Sequence, residues 1–264
     1  MMNEYFGFMR KPFTRDVQDK LYSWKDFQNL KFRLDHFIRE GDIFLLTGAI
    51  GEGKTTALRS FAAGLNPNTH TMVYLNNAFE RKHDFYRTLM GAFQLKPLFH
   101  MGDCRNLLKR HFQEMAMVKR NIPLIILDEV QNYPGFLLEE IRLLSNFDFD
   151  SKTIALFILS GHKLLLQRMS SLENEALRQR ISIRFHLEAM NLEETCGYIR
   201  HHLTVAGSTA SIFSDSVIPK IHEASQGIPR RVNRICSALL LAAAADQKKI
   251  VDDILFEGSK DEWK

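Results

Sequence analysis

The sequence contains no apolar run that approaches the ~18 consecutive residues needed for a membrane-spanning helix. Its first residues, MMNEYFGFMRKPF, lack the charged-then-apolar order of a secretory signal peptide. No internal repeat and no low-complexity linker is visible. The sequence therefore predicts no membrane-spanning helix, and we expect no membrane partner.

Cysteine is scarce, and its three positions, Cys104, Cys196 and Cys236, lack the spacing of a metal site. The odd number and wide separation fit free thiols in a reducing cytoplasm, where we expect the protein to reside. Histidine is more frequent, but only His201 and His202 are adjacent. Neighbouring residues on a helix point in different directions, so the pair does not predict a metal site.

What the chain does contain is enough apolar material for a large core. Hydrophobic residues make up 45% of its 264 positions, which suffices for one nucleotide-binding core and a small second domain. The formal net charge is +4 and the pI is about 8.9. This mild basicity permits an anionic partner without requiring one.

Apolar strand candidates alternate with longer helical patterns through the first two thirds of the chain, which predicts an α/β fold with a parallel sheet. The first four candidates are nearly continuously apolar, as expected for strands covered on both faces. The five candidates are IFLLT (43–47), TMVYL (71–75), PLIIL (123–127), IALFILS (154–160) and SIRFHL (182–187).

The two ends of the chain differ from this alternating middle. The N-terminal segment is rich in aromatic residues, is expected to pack on the core, and ends in a helix that Gly41 stops. Beyond the last strand, three helical patterns follow, with Gly207 and Gly227 at helix ends and Pro229 in a first turn. The predicted parts are an N-terminal segment (1–40), an α/β core (41–188) and a helical domain (189–264).

The stretch GAIGEGKTT follows the first strand, precedes a helical pattern, and matches the phosphate-binding motif G-x-x-x-x-G-K-[ST]. Its glycines let backbone N–H groups converge on phosphate oxygens, and the helix N-terminus adds a favourable dipole. Lys54 is expected to reach the β- and γ-phosphates of ATP, and Thr55 to hold Mg²⁺. The predicted nucleotide contacts are Gly48, Ala49, Ile50, Gly51, Glu52, Gly53, Lys54, Thr55 and Thr56.

Two further strands end in polar residues that fit ATP hydrolysis. The strand in IPLIILDEVQ ends at Asp128 and Glu129. Asp128 would hold Mg²⁺ through water, and Glu129 would polarise the attacking water. The strand in IALFILSGH ends at Ser160, a candidate for orienting that water. The alternative for Asp128 and Glu129 is a solvated charge pair, and the alternative for Ser160 is an ordinary strand end.

Arginines form two clusters that suit the stabilisation of charge on a transferred phosphoryl group. EALRQRISIRF carries Arg178, Arg180 and Arg184 around the last strand, and GIPRRVNR carries Arg230 and Arg231 at the start of a helix. A solvated basic face is the alternative for each cluster.

The order of these motifs, together with YFGFMRKPF, LRQRI, LEETCGYI and SQGIPRRVNRIC, resembles AAA+ ATPases of the ExeA/TnsC-like group over residues 4–245. The resemblance implies a five-stranded sheet in the order 5-1-4-3-2 and a helical lid. It also implies that Arg230 is a sensor-2 arginine and that Ser160 stands at the sensor-1 position. Either Arg178 or Arg180 would be an arginine finger acting on a neighbouring subunit.

Within that group, long secretion ATPases carry a membrane span and a cell-wall-binding tail, and short members resemble ATPases that direct transposition. Since this chain shows neither module, we expect an ATP-dependent homo-oligomer, a ring or a filament, that binds double-stranded DNA and recruits a transposase. Contacts to DNA phosphates would have little sequence preference. The candidate DNA contacts are Arg81, Lys82, Arg87, Lys96, Arg105 and Lys109.

Two other functions share the same ATP site. The first is an ExeA-like secretion or assembly ATPase that acts on a protein partner without nucleic acid. The second is a replication-initiator loader, which the absence of a separate DNA-binding domain after the lid disfavours.

Overall fold

Five parallel strands form one sheet in the order β2-β3-β4-β1-β5 in a computed structural model that describes residues 2–14, 21–76, 79–147, 153–208 and 210–263. This order is the predicted 5-1-4-3-2 read from the other edge, so the α/β architecture inferred from the sequence is confirmed. The strands are β1 (Ile43–Thr47), β2 (His70–Leu75), β3 (Ile122–Leu127), β4 (Leu156–Gly161) and β5 (Ile181–His186).

Helices connect the strands and continue beyond them. Before and between the strands lie α1 (Met2–Phe6), α2 (Lys25–Glu40), α3 (Lys54–Ala63), α4 (Lys82–Ala92), α5 (Met101–Met117), α6 (Gly135–Ser145), α7 (Lys163–Met169) and α8 (Glu175–Gln179). After the sheet follow α9 (Leu192–Val205), α10 (Val217–Ser225), α11 (Pro229–Ala245) and α12 (Asp253–Gly258).

The chain divides into two compact units by its internal contacts. The sheet unit consists of Asn29–Ala49 and Lys54–Leu187, and the helical unit consists of Met1–Gln28, Ile50–Gly53 and Glu188–Lys264. Among the described residues, no helix combines the length and apolar character needed to cross a bilayer.

Strand position explains how the sheet unit buries its apolar residues. The central strands β1 and β4 are buried at every residue, because helices cover both of their faces. The expectation that β2 is covered in the same way is wrong, because β2 is an edge strand and leaves Met72 and Tyr74 each 39% exposed. The other edge strand, β5, alternates between more and less exposed residues.

In the helical unit, local signals begin and end the helices where the sequence predicts. Asn191 caps α9: its side-chain oxygen accepts from the Glu194 N–H at 2.8 Å, while the Glu194 carboxylate accepts from the Asn191 N–H at 2.9 Å. Pro229 occupies the first turn of α11. Gly207 follows α9 with φ +97°, a left-handed conformation that glycine adopts without strain.

The described residues 2–14 of the aromatic N-terminal segment pack within the helical unit. The Met9 N–H donates to the Ala206 carbonyl at 2.8 Å, and the Phe13 ring stacks on His202 at 5.3 Å. Burial, with a smaller contribution from the charge of His201, lowers the pKa of His202 to about 4. His202 is therefore a neutral packing residue of this unit at physiological pH.

Candidate functional site

The predicted phosphate loop lies between β1 and α3 and has the conformation that its glycines allow. Gly51 and Gly53 have φ angles of +94° and +101°, in the region that other residues rarely adopt. Lys54 is buried at the first position of α3, and its Nζ donates to the carbonyl oxygens of Gly48 and Ala49 at 2.8 and 2.9 Å. The ammonium group is therefore held over the loop backbone where a phosphate would neutralise its charge.

A hydroxyl and a carboxylate that suit a magnesium ion meet beside this loop. Thr55 Oγ1 donates to Asp128 Oδ2 at 2.8 Å, and Asp128, directly after β3, is only 2% exposed. Tyr74 OH donates to the same oxygen at 2.8 Å. Oxygen ligands of this kind are those that Mg²⁺ prefers, so the residues present fit the ion that the motif implies.

Glu129 follows Asp128 in a backbone conformation that is unusual for a residue with a side chain. Its φ of +54° lies in the left-handed region, and its N–H donates to Asp128 Oδ1 at 3.0 Å. The Glu129 carboxylate is exposed and accepts a hydrogen bond from the Gln131 amide. A non-glycine residue persists in this conformation only where its surroundings determine it, and such residues concentrate at functional sites.

Ser160 lies one strand away from the two acids. Leu127 of β3 pairs with Leu159 of β4, so the chain register places Asp128 level with Ser160. Ser160 is fully buried, and its Oγ has no hydrogen-bond partner in the described parts of the chain. A buried hydroxyl without a partner normally has one in the working molecule, which fits an oxygen of substrate or water.

A family model described as "AAA domain" matches residues 38–169, a span that contains the loop, both acids and Ser160. The chain belongs to the AAA domain family. This AAA+ ATPase is 31% identical over 256 residues to general secretion pathway protein A of Aeromonas hydrophila. The alignment covers 93% of this chain but only 45% of that protein.

Solved structures of other AAA+ proteins share the fold at low sequence identity. Cdc6p from Pyrobaculum aerophilum matches with a TM-score of 0.70 and 14% identity, over 95% of this chain and 70% of its own. The Drosophila ORC bound to DNA matches with a TM-score of 0.66 and 15% identity, over 98% of this chain and 64% of its own. At these identities the similarity establishes the fold of this AAA+ ATPase and not its function.

Arg178 and Arg180, the two candidates for an arginine finger, occupy different environments. Arg180 is 13% exposed and donates to Asp42 Oδ2 at 3.3 Å and to the carbonyls of Arg142 and Ser145 at 3.4 and 3.2 Å. The Arg178 side chain is 38% exposed, and in the described parts of the chain its guanidinium lies 3.9 Å from Glu175 of its own helix. Arg180 thus joins elements of its own chain, whereas Arg178 presents its guanidinium to the surroundings.

Arg230 is the candidate that the helical unit supplies. Its backbone N–H donates to the Gly51 carbonyl at 3.2 Å, and a side chain at Gly51 would come within 2.8 Å of the Arg230 Cβ. The Arg230 side chain is exposed. The tip of the phosphate loop, Ile50–Gly53, accordingly belongs to the same compact unit as the start of α11.

The six cations proposed as DNA contacts divide into two groups of three. Lys82 and Arg105 bind Glu140, a carboxylate that is 1% exposed, at 2.9 and 2.6 Å. Lys109 donates to the Asn146 carbonyl and lies over the Phe147 ring. These three stabilise packing between helices of the sheet unit, which leaves Arg81, Arg87 and Lys96 as exposed candidates.

The Glu140 cluster is a structural ion-pair network that the sequence does not reveal. Burial alone would raise the pKa of Glu140, but hydrogen bonds from Lys82, Tyr86 and Arg105 outweigh it and hold that pKa below its ordinary value. Glu140 is therefore ionised at neutral pH and paired, as a buried carboxylate must be.

Tyr74 and Gln131 contact the two candidate acids but were not predicted from the sequence. Burial, and then the hydrogen bond to Asp128, raise the pKa of the Tyr74 phenol, which therefore stays a donor at neutral pH. A signal for Tyr74 was present, since it is a polar-tipped residue near the end of the strand paired with β3. Gln131 follows Glu129 by two positions in DEVQ.

Proposed function

We propose that this AAA+ ATPase hydrolyses ATP with Mg²⁺ and uses the cycle, as a homo-oligomer, to act on a protein partner in secretion or assembly. The observation that carries the hydrolytic part is the contact between Thr55 and Asp128 beside the phosphate loop, with Glu129 next in the chain. Free cysteines and the need for ATP support a cytoplasmic location.

Each side chain has a distinct role in this proposal. The loop N–H groups and Lys54 bind the β- and γ-phosphates, and Ser160 orients the attacking water. Glu129 accepts the proton of that water as it attacks. Thr55, and Asp128 through water, would hold Mg²⁺, which when bound would neutralise phosphate charge. Arg230 stabilises the γ-phosphate from the same chain.

The choice of a protein partner rests on sequence similarity to general secretion pathway protein A, whose name describes a role in secretion. This chain spans 45% of that protein, so the action on a protein partner is a proposal for this chain and is not taken over from the relative. Internal contacts of Lys82, Arg105 and Lys109 support the same choice, because they engage three of the six cations predicted to contact DNA.

Glu129→Gln is expected to bind ATP with wild-type affinity and to hydrolyse it about 10²-fold more slowly, because the amide keeps the shape but cannot accept the proton. A steady-state phosphate-release assay beside nucleotide-binding titration measures both quantities. Glu223→Gln, the same change at an exposed position on α10, is the matched control. Equal turnover in wild type and Glu129→Gln would place the base on another residue.

The second candidate function is ATP-dependent binding of double-stranded DNA in transposition, with a transposase as partner. The observation that favours it is the exposure of three of the predicted DNA contacts, Arg81, Arg87 and Lys96. It predicts salt-sensitive anisotropy of a labelled duplex with a slowly hydrolysed ATP analogue, because neutralised phosphates release counterions. Arg81→Glu with Lys96→Glu should abolish that signal, whereas Lys31→Glu with Arg39→Glu on α2 changes net charge equally and should keep most of it. If the protein does not bind the duplex at low salt, the DNA-binding function is wrong and the protein-partner function stands.

A further inference from the structure

Gln131 connects the catalytic glutamate to the neighbouring strand. Its side-chain amide nitrogen donates to Glu129 Oε2, and its amide oxygen accepts from the backbone N–H of His162 at 3.2 Å. His162 stands two residues after Ser160, directly beyond β4. One amide group therefore links the carboxylate of the proposed base to the end of the strand that carries Ser160.

The surroundings of Gln131 leave it little freedom. A side chain at Gly161 would fall well inside van der Waals contact with the Gln131 amide oxygen, so the absence of a Cβ there makes room for the amide. Arg168 on α7 donates through Nη1 to the carbonyls of Val130 and Gln131 at 3.3 and 2.8 Å. Side chain and backbone of Gln131 are thus both held by the segment that follows β4.

The Glu129 carboxylate needs a restraint of this kind. A glutamate with left-handed φ has an unfavourable backbone, and its exposed side chain has several rotamers of similar energy. A general base contributes only when its oxygen is held within hydrogen-bond reach of the water. The amide of Gln131 engages Oε2 and leaves Oε1 to accept a proton.

We propose that Gln131 is a positioning residue for hydrolysis: it fixes the Glu129 carboxylate relative to Ser160 by bridging the turn after β3 to the end of β4. This inference rests on the proposed ATPase function. It assigns Gln131 no contact with nucleotide, so nucleotide affinity does not depend on it.

The test replaces the amide with a side chain of similar length that forms no such bridge. Gln131→Met should lower kcat about 10-fold, as expected for a misplaced general base, and leave the KM for ATP and the melting temperature close to wild type. Gln167→Met, the same change at an exposed position on α7, should match wild type in all three. A kcat for Gln131→Met equal to or above that of wild type overturns the proposal.

Failure of this inference is distinguishable from failure of the proposed function. If wild type releases no phosphate, or if Glu129→Gln is as fast as wild type, the hydrolytic assignment itself falls. If Glu129→Gln is slow while Gln131→Met turns over at the wild-type rate, only the positioning role falls. Gly161→Ala offers an independent check, because its added methyl group should displace the amide and lower kcat as Gln131→Met does.

Discussion

Lys54→Ala is expected to weaken ATP binding about 10²-fold or more, and turnover should disappear with it at ordinary ATP concentrations. The Lys54 ammonium lies over the loop backbone, 2.8 and 2.9 Å from two carbonyl oxygens, where it would form charge-assisted hydrogen bonds to phosphate. Alanine removes these bonds and leaves the negative charge of the β- and γ-phosphates without its nearest compensation.

Isothermal titration with ATP and with ADP measures the effect directly. Lys31→Ala, on an exposed face of α2, removes the same charge from the surface and should bind nucleotide as wild type does. The melting temperature of Lys54→Ala should remain close to that of wild type in the absence of nucleotide and should no longer rise when ATP is added. Wild-type affinity in Lys54→Ala would show that the loop is not the nucleotide site.

The phosphate loop and the end of β3 were predictable because their signals are contiguous in the sequence. An apolar strand, a glycine-rich turn with Lys54 and Thr55, and a helix follow one another, and each step has a local physical reason. Asp128 and Ser160 were predicted in the same way, as polar residues at the ends of apolar runs. Parallel strands end at one edge of a sheet, so placing these residues together required only the strand order.

The environments of the cations were not predictable, because each depends on a partner far away in the chain. Arg180 pairs with Asp42, and Arg105 pairs with Glu140, across separations of 138 and 35 residues. Nothing in the local pattern separates Arg180 from Arg178, or Arg105 from Arg87. The resemblance to a family predicted an arginine finger within LRQRI. The packing of the described residues separates the two arginines: Arg180 joins elements of its own chain, and Arg178 is partly exposed.

Arg178→Ala is expected to reduce turnover about 10³-fold in the assembled protein, the scale on which arginine fingers act, with ATP affinity little changed. The Arg178 side chain is 38% exposed, and its ion pair with Glu175 at 3.9 Å is a weak surface contact, so its loss should not destabilise the fold. Arg180→Ala makes an informative comparison. It removes the ion pair with Asp42 and two contacts to backbone carbonyls, so its main effect should be a lower melting temperature.

A finger acts across an interface, so its loss should be complemented by a second variant. In a mixture of Arg178→Ala and Glu129→Gln chains, an Arg178→Ala subunit keeps its base and receives an arginine from a Glu129→Gln neighbour. Random assembly of equal amounts into a head-to-tail oligomer should restore about a quarter of wild-type turnover, although each variant alone is nearly inactive. An inactive mixture of assembled chains, or turnover by wild type that is independent of protein concentration in a strict monomer, would refute a finger supplied by the neighbouring subunit.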